Sequence, residues 1–259
     1  MKNKTFKEKI KVILKHNKYV YDVLSFMHNF LYYVVKKWME IISDHKAKYW
    51  AEQDLVSIEG YWNSRTDTVK NKFLGDIFNK YTPKSILEIG CNCGNKLYAL
   101  AKKYPDVRLV GIDINPLAIE KGNEWLKQEN LQSVNLMVGR AEELDHFQDR
   151  SFDIVFSWAA LIYTRPSLIK KVLFDMLRIS KKALILLEMQ TEKVMRNRKS
   201  LGIYCKGNWK RDYVSIIKKI TNGIMTIDVA WISPDIWLPG GGGAAVIEAK
   251  KNVNKNFDS

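Results

Sequence analysis

The sequence predicts an α/β protein built on a parallel sheet, and three observations carry that prediction. From Pro83 onward, short apolar runs alternate with amphipathic segments. The first run, Ile86, Leu87 and Ile89, stops at Gly90, and a second glycine, Gly94, follows four residues later. Lys96 to Ala101 then reads as a helix. A strand, a glycine turn and a helix in that order present backbone N–H groups and a helix N-terminus to a ligand. Strands alternating with helices imply βαβ units with right-handed crossovers.

At 259 residues the chain accommodates one α/β domain and an appendage. A core of that size needs no staples, so Cys91, Cys93 and Cys205 are read as reduced thiols. The four histidines do not cluster with them, and no metal site is expected. The net charge is +14. Between Met1 and Trp50 eleven lysines face Glu8, Asp22, Glu40 and Asp44, a net of +7, which is half the excess. A basic protein attracts anionic partners, nucleic acid and anionic lipid headgroups alike.

Residues 2–18 form a lysine-rich lead-in, and residues 19–42 are dense in Tyr, Phe, Val, Leu and Trp. Asp22, His28, Asn29, Lys36 and Lys37 interrupt the second stretch too often for a transmembrane helix. No small-residue cleavage site follows, so a signal peptide is not expected. Lys15, Lys18, Asp22, Ser25, Asn29 and Lys36 share one stripe of a helix, leaving a broad apolar face. Two readings of that face stay open: contact with a membrane interface, or packing on the domain or on a second copy.

Residues 51–80 continue as helix, with a break expected near Gly60. Strands are expected at 85–90, 108–113, 134–139, 152–157 and 183–189. Helices are expected at 95–104, 116–130 and 168–179, the second starting from Asn115 as N-cap with Pro116 behind it. Two late strand-like runs, 224–232 and 244–250, are joined through Pro234 and four glycines, 240–243. No helix follows those glycines, so they read as a turn and not as a phosphate cradle.

The glycine spacing is not G-x-G-x-x-G, so the dinucleotide fingerprint is absent. The run Glu88-Ile89-Gly90-Cys91-Asn92-Cys93-Gly94, with Asp113 twenty-three positions after Gly90, resembles motif I of class I S-adenosylmethionine-dependent methyltransferases. The family pattern is an acidic residue, an apolar one, then G-x-G-x-G. The resemblance implies a Rossmann-like seven-stranded sheet, mostly parallel with an antiparallel final strand, helices on both faces, and a helical N-terminal extension. It also implies S-adenosyl-L-methionine as cofactor.

Carried onto this sequence, the family pattern implies a cofactor site of Glu88, Gly90, Cys91, Asn92, Gly94 and Asn95, with Asp113 and Ile114 on the ribose. Glu88 would organise the site near the methionine amino group, and Asp113 would accept both ribose hydroxyls. Asn92 stands where the family has its middle glycine, and asparagine tolerates positive φ better than other side chains. Arg140 replaces the family's Asp on the adenine amino group in the stretch Arg140-Ala141-Glu142. An arginine cannot accept that bond, though it can stack on a ring, so adenine contact falls to the backbone around Arg140 and Ala141. Glu142 has a second reading as a first-turn helix acid.

Ser157 and Trp158 lead from the fourth strand into the loop where the family keeps its acceptor-facing residue, here Tyr163. Tyr163 is read either as a substrate contact or as a packed aromatic; its phenol, at a pKa near ~10, is a poor base at neutral pH. Tyr61 and Trp62 precede the first strand, where the family's covering segment lies, and core packing is the alternative. No Asn-Pro-Pro-Tyr follows the fourth strand, which counts against methylation of nucleobase amines. A sulfonium is already activated, so alignment dominates and no catalytic residue is assigned.

The resulting expectation is a methyltransferase with residues 1–66 as a basic helical extension, 67–251 as the cofactor-binding domain and 252–259 as a tail. The expected acceptor is a small molecule, a glycan or a lipid-linked intermediate, methylated on oxygen. Expected partners are an anionic membrane, touched peripherally through residues 1–42, and a second copy as homodimer, with nucleic acid ranked lower. The expected location is cytoplasmic, peripheral to the inner membrane face. The alternatives are an RNA methyltransferase and a non-catalytic S-adenosylmethionine-binding protein.

Overall fold

The computed structural model describes residues 18–191, 202–205, 207–233, 235–236 and 244–250. The lysine-rich lead-in up to residue 17, the glycine turn at 240–243 and the tail lie outside the described residues. The chain divides into two compact units, Met1–Ile42 and Ser43–Ser259. In the first, helix α1 (Lys18–Ala51, continuing into the second unit) exposes Tyr19, Phe26, Phe30, Leu31 and Trp38. Among the described residues no helix is long and apolar enough to cross a membrane.

In the second unit, α2 (Leu55–Asn63) starts where the Asp54 carboxylate accepts the Ser57 N–H at 2.9 Å. Helix α3 (Thr68–Asn79) starts likewise at Asp67, which accepts the Lys70 N–H at 3.0 Å. These capped starts mark the breaks, and the break expected at Gly60 is absent. One glycine costs a helix only about 1 kcal/mol, and burial of Ile58 and Trp62 on either side of it holds the turn.

The sheet contains β1 (Ser85–Ile89), β2 (Arg108–Asp113), β3 (Val134–Val138), β4 (Phe152–Trp158), β5 (Ser180–Met189), β8 (Thr226–Trp231) and β9 (Ala244–Lys250). Its order is β3-β2-β1-β4-β5-β9-β8. The first five pair in parallel, and β9 lies antiparallel between β5 and β8. Strand β5 begins at Ser180, three residues earlier than the apolar run suggested. A two-stranded hairpin, β6 (Ile203–Cys205) with β7 (Asn208–Lys210), was not legible as strands; it buries Trp209, whose indole N–H donates to Ser43 Oγ at 3.0 Å.

Alternate strand residues enter opposite cores, as period-2 geometry requires. Ile86, Leu109, Ile154 and Ile185 pack with Phe78 of α3, Leu97 of α4 (Asn95–Lys103) and Leu126 of α5 (Pro116–Gln128). Leu87, Val110, Val155 and Leu184 pack on the other face with Val172 and Met176 of α6 (Ile169–Ile179) and Ile217 of α7 (Tyr213–Ile220). The strand order reverses between β1 and β4. A crevice therefore opens beyond their carboxyl ends, where open α/β sheets bind ligands.

Candidate functional site

The turn after β1 is built from left-handed residues: Gly90 at φ +76°, Asn92 at +50° and Gly94 at +77°. The Gly90 and Cys91 N–H groups both donate to the Ile112 carbonyl, at 2.8 and 3.0 Å. A Cβ on Gly90 would lie 2.3 Å from the Ala160 Cβ, so the β1 turn and the loop after β4 touch through bare backbone. Asn92 holds its strained conformation with its own side chain, whose Oδ1 accepts the Cys93 N–H at 2.8 Å.

Gly90, Asn92 and Asn95 line a cleft of about 490 Å³, within the range of small-ligand sites. Cys91 and Cys93 are instead buried in the core, and burial raises both thiols, Cys93 to about 12. Gly94 faces the Leu136 side chain. Glu88 lies beneath the turn, fully buried, with Lys96 Nζ 3.0 Å from its Oε1. Burial pushes Glu88 up to about 7. Burial also pulls the Lys96 ammonium down, but Glu88 outweighs it and leaves Lys96 above its ordinary value.

Asp113, at the end of β2, lines the cleft and joins two elements. Its Oδ2 accepts the Asn92 N–H at 2.8 Å and its Oδ1 the Asn115 N–H at 2.9 Å. Asn115 in turn caps α5, accepting the Ala118 N–H at 3.0 Å. Its Nδ2 donates to the carbonyls of Trp50 at 3.1 Å and Gln53 at 3.2 Å, tying the end of α1 to the cleft. Ile114, Arg140, Ala141 and Glu142 form the adjoining wall. Arg140 Nε donates to Glu142 Oε1 at 2.8 Å, and no helix starts there, so Glu142 is not a first-turn helix acid.

The loop after β4 is held from two sides. Glu188 of β5 is fully buried, and its Oε1 accepts the Ser157 hydroxyl at 2.8 Å and the Ala160 and Leu161 N–H groups at 3.1 Å each. The guanidinium of buried Arg211 donates to the carbonyls of Leu161, at 2.8 Å, and Thr164. Ser157 therefore anchors the loop and does not line the cleft, whereas Trp158 and Tyr163 do. Tyr163, Trp50 and Tyr61 form an aromatic wall, with Trp50 to Tyr163 at 5.1 Å and Trp50 to Tyr61 at 6.1 Å between ring centroids. Burial raises both phenols above their ordinary value. Trp62 turns away and stacks on Trp125 at 5.2 Å.

Sequence reasoning missed Trp50, Lys96, Glu188 and Arg211. A signal existed for Lys96: a cation in the first turn of α4 opposes the helix dipole and calls for a nearby acid. Among the described residues no group of three His, Cys, Asp or Glu side chains could hold a metal ion.

A parallel sheet of this order, with a glycine turn after the first strand and an acid ending the second, defines the class I methyltransferase fold. Residues 86–183 match the family model described as a methyltransferase domain. The chain is similar to a probable chloroplastic tocopherol O-methyltransferase of Oryza sativa subsp. japonica, 37% identical over 29% of this chain and 20% of the relative. It is also similar to aklanonic acid methyltransferase DauC of Streptomyces sp. (strain C5), 35% identical over 37% of this chain and 44% of the relative. The chain thus spans less than half the length of these curated relatives. Among solved structures, the plantazolicin methyltransferase BamL, in complex with a triazolic desmethylPZN analog and SAH, superposes with a TM-score of 0.59. It is 10% identical and covers 85% of this chain and 99% of its own.

Proposed function

We propose that the chain is an S-adenosylmethionine-dependent methyltransferase that methylates an oxygen of a small-molecule acceptor. The observation that carries the reading is the Asp113 carboxylate at the cleft wall, fixed by the Asn92 and Asn115 amides. An ionised carboxylate offers about four acceptor positions, so capacity for a ribose diol is left after those two bonds.

The other residues fit the same cofactor. Gly90 lines the cleft, and its lack of a side chain lets the loop after β4 close against the turn at the cleft wall. Asn95 Oδ1 is a buried acceptor without a hydrogen-bond partner, suited to a donor such as an ammonium group. Lys96 at the cleft wall suits a carboxylate. When bound, the cofactor supplies a methyl carbon already activated by its sulfonium. The chain's own task is alignment and exclusion of water, and Trp50, Tyr61 and Tyr163 are placed for both. Tyr163, with its phenol raised by burial, orients an acceptor and does not deprotonate it. The names of the rice and Streptomyces relatives, a probable tocopherol O-methyltransferase and an aklanonic acid methyltransferase, support a small-molecule acceptor, and the first supports oxygen.

Calorimetric titration with S-adenosylmethionine and S-adenosylhomocysteine tests the reading. Micromolar binding of both that Asp113→Ala weakens by at least about tenfold is the expected result. A well-folded wild-type chain that binds neither ligand sinks the proposal.

A further inference from the structure

The first unit carries a feature that the cleft does not use. From residue 19 to residue 35, helix α1 turns about 100° per residue, which gathers Asp22, Ser25 and Asn29 within about 60° of its circumference. Round the rest, Tyr33, Phe26, Phe30, Val23, Leu31 and Val35 follow one another over about 200°, and all six are exposed, Phe26 by 70%. Exposed apolar area of this extent marks a contact surface.

We propose that this face of α1 lies in the headgroup region of an anionic membrane. Its width selects the occupant. A partner helix covers a stripe of roughly 100° or less and would leave about half of this face in water. A bilayer interface takes in the whole face and leaves the narrow polar stripe outside. Charge selects the lipid. The seventeen residues ahead of the helix hold six lysines against Glu8 alone, and Lys37 Nζ sits 5.9 Å over the Tyr33 ring. A second copy would bring the same positive charge against itself, whereas phosphatidylglycerol headgroups complement it. The inference is independent of the methyl transfer proposed for the cleft.

Flotation of the full chain tests it, using phosphatidylcholine vesicles with and without phosphatidylglycerol. The chain is expected to float with the anionic vesicles and not with the neutral ones, and to be released severalfold by molar salt. The triple variant Phe26→Asp, Phe30→Asp, Leu31→Asp is expected to lower the bound fraction at least about tenfold. Its thermal transition and far-ultraviolet circular dichroism, compared with wild type, report its folding. The double variant Val23→Ser, Trp38→Ser, on the same face, gives a milder loss in the same direction. Equal binding to neutral vesicles, no binding to either, or undiminished binding by both variants overturns the proposal. A lipid-free dimer in sedimentation equilibrium that the triple variant splits, with no vesicle binding by wild type, assigns the face to a second copy instead.

Discussion

Glu188 Oε1 accepts the Ser157 hydroxyl at 2.8 Å across 31 positions of sequence, and the same oxygen takes two backbone N–H groups of the loop that follows Ser157. The wall of the cleft that carries Tyr163 is therefore set by a carboxylate that does not itself line the cleft.

That carboxylate gives a pH dependence of fixed sign. Burial raises Glu188 from 4.5 to about 7, against the opposing effect of its hydrogen bonds and of Arg211. The folded state holds the proton more tightly than the unfolded one, so stability falls as pH rises from about 4.5 to about 7 and levels off above. The fall for this one group is on the order of 3 kcal/mol. Glu88 and Asp113, also raised by burial, contribute in the same direction. Denaturant unfolding of Glu188→Gln should show a smaller stability difference between about pH 5 and about pH 8 than wild type. An unchanged difference would mean that Glu188 does not titrate there.

Arg211 supplies the other half of the clamp. Replacing it by Met strips donors from the Leu161 and Thr164 carbonyls and removes a cation that favours the charged form of buried Glu188. A loss of about 3–5 kcal/mol is expected from equilibrium unfolding. Arg211→Lys should recover only part of it, because an ammonium does not reproduce the planar fork.

Gly90→Ala adds a Cβ at φ +76° and at 2.3 Å from that of Ala160. The backbone term is about 1–2 kcal/mol and the clash adds to it. Combining the change with Ala160→Gly should recover the clash and leave the backbone term. A double variant no more stable than Gly90→Ala alone would contradict the contact.

Asn115 serves α5 through Oδ1 and the Trp50–Gln53 segment through Nδ2. Asn115→Ala should cost about 2 kcal/mol, roughly half of it the lost cap. Asn115→Asp keeps the cap but sets a carboxylate oxygen against the Trp50 and Gln53 carbonyls, so its thermal transition should fall below that of wild type despite the retained cap.

Because burial raises the Tyr163 phenol, that group stays protonated throughout the neutral range. Tyr163→Phe should leave the shape of the methyl-transfer rate profile unchanged from about pH 6 to about pH 9 while raising KM for the acceptor. A lost alkaline limb in the variant would instead make Tyr163 a base.

The central sheet was readable because β1 to β3 are short apolar runs punctuated by Gly, Pro or Asn, and β4 and β5 are apolar runs set off by polar and charged residues and an intervening amphipathic helix. Asp113 was readable for the same reason, as an acid at a strand end beside a glycine turn. Glu188 was missed although it sits inside an apolar run, where an acid must find partners. Its partners, Ser157, Ala160 and Leu161, lie on β4 and the loop after it, and sequence does not show which strands are neighbours. Trp50 was unreadable as a cleft residue because the Asn115 amide that holds its carbonyl comes 65 positions later. The break misplaced at Gly60 shows the limit of punctuation: capping by Asp54 and Asp67 outweighed a single glycine.

Strand β9 sits between β5 and β8, so the sheet is completed by a segment that follows both neighbours in the chain. During synthesis on the ribosome, β5 emerges before the strand that covers its outer edge. Until Ala244–Lys250 leaves the exit tunnel, β8 has no strand to join and the β5 edge stays open to neighbouring nascent chains. Translation that stalls within that interval of some sixty residues therefore yields a sheet with a sticky seam, and the speed of the ribosome there becomes part of how this fold is made.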